Sequence, residues 1–140
     1  TAEKLAKVGK ELSYERLLIV TSEDGIDEVS TYSKTYVFEI NKNSIKKSVI
    51  DPQKYGFKKF DKKKIHGGTA EDNAQIIKNI LNGVKGHQRD LVVFNSAFAL
   101  YTAGTVTDIR DGIILAEKSI DSGRAKLVLE NLIEETQKYG

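Results

Sequence analysis

Between Arg16 and Ser30 the sequence reads RLLIVTSEDGIDEVS, and this stretch limits the possible folds more than any other. Leu17-Leu18-Ile19-Val20 is a short continuous apolar run with β-branched members. It predicts a strand buried on both faces, as in the middle of a parallel sheet. The run then stops, and four carboxylates follow within six residues: Glu23, Asp24, Asp27 and Glu28. Gly25 sits among them and frees the backbone to turn. Open α/β sheets present ligand sites at the carboxyl ends of buried strands. Carboxylates this close repel one another in the absence of a cation. A hard ion such as Mg²⁺ would relieve that, and Mg²⁺ is usually held by one or two carboxylates plus substrate phosphates. The competing reading is structural, because Asp-Gly is a common turn dipeptide and acidic residues suit solvated turns.

A chain of 140 residues is one domain or a piece of a larger one. It is long enough to bury about two-thirds of its unfolded surface. The net charge of +2 gives no strong reason to invoke nucleic acid. The sequence has no cysteine, which excludes a disulfide framework and a thiolate metal site. Two histidines, His66 and His87, argue against a histidine-rich metal centre. No apolar run approaches a membrane span and no signal peptide opens the sequence, so the expected compartment is the cytoplasm. The absence of methionine and the opening on a helical pattern fit a fragment of a longer protein.

Residues 2 to 12 carry Ala2, Leu5, Ala6, Val8 and Leu12 at helical spacing, with Thr1 as a candidate cap. Lys34 to Ile40 alternates, with Tyr36, Phe38 and Ile40 on one face and Thr35, Val37 and Glu39 on the other, which predicts a strand with one face better buried than the other. Asn41-Lys42-Asn43 predicts a turn into a weaker strand over Ser44 to Ile50, making a hairpin. Asp51-Pro52 predicts a capped helical turn that stops at Gly56. Residues 57 to 68 are expected to be irregular and basic, with Lys58, Lys59, Lys62, Lys63 and Lys64. A solvated loop is the favoured reading there, and attraction of an anionic ligand is the other.

Thr69 and Asp72 have the spacing of a capping box. The helix behind them shows a stripe of Ala70, Ala74, Ile77, Leu81 and Val84. Gly67-Gly68 before it either allows the turn or leaves free amides that hold a phosphate. Gly86 to Gly104 is the most apolar segment and predicts a helix buried nearly all round. Asn95 within it must find partners if buried, and reads as a satisfied core asparagine. Thr107 is expected to cap a helix with Ile109, Ile113, Ala116 and Ile120 inward, which Ser122-Gly123 breaks. A last helix starts near Arg124, with Ala125, Leu129, Leu132 and Ile133 facing in.

Several separated motifs, in order, resemble one family: the anthranilate phosphoribosyltransferases. They are Asp24-Gly25-Ile26-Asp27-Glu28, Asp51-Pro52 with Gly56-Phe57, and Gly67-Gly68 with Asn73-Ala74. Arg89-Asp90 follows, with Asn95, Ala97, Leu100-Tyr101 and Gly104, then Gly112, Ala116, Ile120, Ser122-Gly123 and Ala125. The resemblance implies an α/β chain of the phosphoribosyltransferase/nucleoside-phosphorylase-like class, with three strands and about five helices. It implies that residues 1–140 are the C-terminal portion of the catalytic α/β domain. The reaction it implies joins anthranilate to the phosphoribosyl group of phosphoribosyl diphosphate, releasing diphosphate, with Mg²⁺. In the family an adjacent Asp-Glu pair helps hold the metal, which carries over to Asp27 and Glu28. On a regular strand such neighbours point to opposite faces, so the pair needs an irregular loop or a bridging water.

The chemistry implied is displacement at the ribose C1 carbon through an oxocarbenium-like state, which needs no nucleophilic side chain. No catalytic or substrate-binding residue is carried over, and none of Glu23, Asp24, Asn95 or Gly67-Gly68 receives a ligand role. The family's glycine-rich substrate loop, its anthranilate contacts and its helical domain, which carries the homodimer contact, find no match. The chain alone is therefore expected to be inactive. Two alternatives remain. One is a non-catalytic nucleic-acid-binding relative using the lysines from 58 to 64. The other is a pyrimidine nucleoside phosphorylase-like enzyme of the same fold.

Overall fold

A computed structural model describes residues 1–12, 14–42, 44–60 and 62–139, with the side chain of Lys62 outside the described set. Asn43, the last residue of the expected 41–43 turn, also lies outside it. Helix α1 spans Ala2–Glu11. Strands β1 (Arg16–Ser22), β2 (Thr35–Asn41) and β3 (Ser44–Ile50) follow. Helices α2 (Ala70–Leu81), α3 (His87–Thr102), α4 (Ile109–Asp121) and α5 (Arg124–Gln137) complete the described elements. Two 3₁₀ turns, Pro52–Tyr55 and Lys62–Ile65, lie between β3 and α2. The fold is α/β, as expected, with three strands and five helices among the described residues.

The sheet is antiparallel, in the order β1-β2-β3, which corrects the parallel arrangement expected for β1. Register runs from Arg16 opposite Asn41 to Ser22 opposite Thr35. Period-two alternation sends β1 side chains to two different cores. Leu18 and Val20 pack with Val37, Phe94 and Phe98, while Leu17 and Ile19 join Ala6, Phe38 and Ile40 under α1. Both faces of β1 are thus covered, yet Leu17 to Val20 are only half-buried, because β1 is an edge strand. β2 is the central strand. Thr35, Val37, Phe38 and Ile40 are all buried, so the expected one-sided burial of β2 gives way to burial on both faces.

Caps explain most of the boundaries. The Asp51 side chain accepts from the Gln53 amide, and Gly56 ends that turn at φ 92°. Thr69 and Asp72 form the predicted capping box. Thr1 makes no side-chain cap bond, and the α4 cap is Asp108 rather than Thr107, its carboxylate accepting from the Arg110 amide at 2.6 Å. The stripe of α2 is rotated from the expected one: Ile76 and Ile80 reach the core, while Ile77 and Val84 stay exposed. α3 is buried along Arg89, Val93, Phe94, Ala97 and Phe98 but exposes Val92 and Ala99, so its burial is not all-round. In α5 no residue is buried, and Leu132 and Ile133 are exposed against expectation. Segment 57 to 68, expected to be irregular throughout, contains the second 3₁₀ turn.

α3 and α4 are tied by sterics and by charge. Gly112 of α4 is buried, and a Cβ there would stand 2.9 Å from the Ala97 carbonyl oxygen. The buried Arg89 guanidinium reaches Asp121 at 2.8 Å and Glu117 at 3.6 Å. Removing one partner of such a pair leaves an uncompensated charge. Gly112→Ala should destabilise the fold by about 1–3 kcal/mol through overpacking. Glycine to alanine in an unencumbered helix would instead stabilise by about 0.5–1 kcal/mol. Chemical denaturation of the two proteins reads the sign.

Candidate functional site

The acidic stretch leaves β1 and returns to β2 as one irregular loop, closed at its base. The Glu23 amide donates to the Lys34 carbonyl at 2.9 Å, and the Ser22 and Ser33 hydroxyls lie 3.4 Å apart. Gly25 turns the chain at φ 83°, where a side chain would be strained.

The four carboxylates do not form one cluster. Glu23 accepts from the Tyr36 hydroxyl at 3.2 Å. Asp24 turns into the loop. One of its oxygens takes the Ile26 amide at 3.3 Å and the other takes the Ser30 hydroxyl at 2.8 Å. The Ser30 oxygen in turn accepts from the Tyr32 and Ser33 amides, and the Ser30 amide donates to the Thr35 hydroxyl at 3.0 Å. Burial alone would raise the Asp24 carboxyl. Interactions with Tyr32, Ser30, the Ile26 amide and Ser33 outweigh it and hold the carboxyl below its ordinary value. The Tyr32 hydroxyl is itself buried and interacts with the Asp24 carboxylate. Burial, and then the Asp24 carboxylate, push that phenol up to about 12.

Beyond Glu28 the loop enters the core. Val29, Ser30 and Thr31 are buried. A buried irregular segment has no ladder for its backbone groups and must find partners elsewhere. Asn95 of α3 supplies them. Its Oδ1 accepts from the Val29 amide at 2.9 Å, and its Nδ2 donates to the Val29 carbonyl at 3.0 Å and to the Leu91 carbonyl at 3.0 Å. The reading of Asn95 as a satisfied asparagine holds.

Asp27 and Glu28 remain exposed. With Ile26 they line one side of a cleft of about 440 Å³, whose other lining residues are Ile65, His66, Gly67 and Leu91. The backbone there is neither strand nor helix, which allows neighbouring side chains to serve one cleft. Among the described residues no three His, Cys, Asp or Glu side chains gather into a complete metal centre. Two carboxylates on one cleft still fit Mg²⁺, which takes its remaining oxygens from water and phosphate.

The Gly67-Gly68 turn reads as structural. The Gly68 amide donates to Asn73 at 2.9 Å, the Thr69 amide to Asp72 at 3.0 Å, and the Asp72 amide back to Thr69 at 3.2 Å. Those three amides are therefore engaged internally rather than presented to a phosphate. The Asn73 carboxamide leaves no room for a Cβ at Gly67. Lys58, Lys59, Lys63 and Lys64 are exposed, in keeping with a solvated segment. Phe60 beside them stacks on His87 at 3.9 Å and meets the Tyr32 ring edge-on at 5.3 Å. A larger hollow of about 510 Å³ among α2 to α5 is lined by apolar residues such as Val92, Leu100 and Val128, and by no residue of the acidic loop.

Residues 1–126 match the family described as "Glycosyl transferase family, a/b domain", and the chain belongs to it. Within that class, several of its curated relatives are anthranilate phosphoribosyltransferases. It is 42% identical over 137 residues to an anthranilate phosphoribosyltransferase of Acetivibrio thermocellus, covering 98% of this chain and 40% of that protein. It is 44% identical to the one from Methanobrevibacter smithii, covering 94% of this chain and 39% of the relative. Among solved structures, anthranilate phosphoribosyltransferase from Saccharomyces cerevisiae in complex with PRPP and Mg superposes with a TM-score of 0.88 at 27% identity. That match covers 98% of this chain and 40% of the yeast chain. The chain thus spans about 40% of the length of such relatives.

Ser30, Tyr32 and Thr35 were not flagged by the sequence as parts of the site; the only local signal is the run of polar residues after Val29. Asp24→Ala should cost about 1–2 kcal/mol near neutral pH through the lost hydrogen bonds. Because the folded carboxyl sits below its ordinary value of 3.8, the ionised form is the stabilised one. Its contribution is complete above that value and fades as pH falls through the lower folded value. Denaturation at neutral and at strongly acid pH should show the difference shrinking with acidification.

Proposed function

We propose that this chain is the C-terminal, metal-binding portion of an anthranilate phosphoribosyltransferase, with Asp27 and Glu28 holding Mg²⁺ at the diphosphate of phosphoribosyl diphosphate. The observation that carries it is the Asp27–Glu28 pair, exposed side by side on an anchored loop and lining one cleft. The name of these relatives and the yeast complex with PRPP and Mg support the substrate and the ion.

When bound, Mg²⁺ neutralises charge growing on the departing diphosphate and orients it. Asp27 and Glu28 supply oxygen ligands. Asp24 stays with the loop, bonded to Ser30, and keeps the acidic turn in shape. Leu91 and Ile65 give the cleft apolar walls. The displacement at the ribose C1 carbon needs no nucleophilic side chain.

The reading has consequences for the whole enzyme. By the family resemblance, the glycine-rich substrate loop, the anthranilate contacts and the helical domain that pairs the subunits would lie in the part of the enzyme that this chain does not span. The chain alone should be inactive. The proposed biosynthetic role is in keeping with a cytoplasmic setting. Among the described residues no helix is long and apolar enough to cross a membrane.

Calorimetric titration with Mg²⁺ and phosphoribosyl diphosphate tests the assignment against an Asp27→Asn, Glu28→Gln variant. Metal-dependent binding by the parent that disappears in the variant is expected. Equal binding by both would sink the assignment of the pair.

A further inference from the structure

We propose that Asn95 is a positioning residue for Asp27 and Glu28: it fixes, from α3, the backbone that carries both carboxylates and so sets how they face a divalent cation. The cation itself rests on the function proposed above; the positioning rests on geometry. Asn95 engages both polar groups of Val29, accepting its N–H at 2.9 Å and donating to its C=O at 3.0 Å. A single side chain thus pairs with Val29 much as a neighbouring strand would. Val29 is the residue after Glu28, and it is 1% exposed.

The clamp is anchored at its own end too. The second Nδ2 hydrogen goes to the Leu91 carbonyl one helical turn back, and Leu91 lines the cleft that Asp27 and Glu28 face. One acceptor and two donors are all used, a combination that only a carboxamide supplies. Aspartate keeps the acceptor and loses the donors. Leucine keeps the approximate volume and loses both. Buried backbone groups left without partners favour local opening.

The test uses this chain with Asn95→Leu and Asn95→Asp, and with Ile80→Val as a control that weakens a core cluster whose buried members do not include Val29. Amide hydrogen exchange is followed at Ile26 to Ser30. In Asn95→Leu, exchange at Glu28 and Val29 should quicken about tenfold or more beyond the control, with a smaller rise in Asn95→Asp. The same samples are titrated with Mn²⁺ and phosphoribosyl diphosphate. Cation affinity should fall about tenfold in Asn95→Leu, the size expected when a partner behind a ligand is lost. If Asn95→Leu does not fold, Asn95→Asp carries both readouts.

Loop exchange and affinity that merely follow Ile80→Val would overturn the proposal and leave Asn95 as an ordinary stabilising residue. If the unmutated chain takes up no cation, the metal role proposed for this chain fails on its own. The exchange comparison still decides Asn95, since a local loss at Glu28 and Val29 supports positioning and its absence refutes it.

Discussion

Val29 is held twice, and the acidic loop depends on both grips. Its side chain packs with Val37, Phe94 and Phe98 in the core between sheet and α3. Its backbone is paired by Asn95. Apolar burial draws the irregular segment inward, and that burial would be costly if the backbone polar groups lost water and gained nothing. The asparagine removes that cost. Ser30 is treated the same way by Thr35, so two consecutive residues enter the core through side chain to backbone bonds instead of a ladder.

The division of labour among the carboxylates follows from this anchoring. Spacing along the chain suggests four charges in mutual repulsion, but direction separates them. Glu23 is turned to Tyr36 and Asp24 to Ser30, and Asp27 and Glu28 are left on the cleft. Asp24 acts like a cap within the loop, where a carboxylate accepts several donors at once. Arg89 shows the same economy in α3: its buried guanidinium joins Glu117 and Asp121 and ties two helices together.

What the sequence revealed was mostly local. The Asp51 cap, the Thr69–Asp72 box, the β2–β3 hairpin and the stops at Gly56 and Ser122-Gly123 depend on residues a few positions apart, and they form as read. Asp108 displaced Thr107 because two adjacent residues could each cap, and only tertiary context chooses. The direction of β1 was misread because a continuous apolar run reports coverage on both faces and not the direction of the neighbouring strand. The stripe of α2 was misplaced because Ala70, Ala74, Ile77 and Leu81 keep helical spacing as well as the pair that faces inward, Ile76 and Ile80. Asp27 and Glu28 stand out in the sequence through their motif, and their exposure on one cleft is in keeping with the role proposed for them. The inward turn of Asp24 was not legible there, because it depends on where Ser30 and Tyr32 lie once the loop has closed.

Fixed ends also govern chain length. Gly25 to Glu28 is a bridge stretched between Asp24, bonded into the loop, and Val29, seated in the core. Surface loops ordinarily accept insertions and deletions with little penalty. This bridge cannot lengthen or shorten by a residue without giving up an abutment or turning its carboxylates away from the cleft. Although the segment lies at the surface, the number of residues between its anchors is restricted.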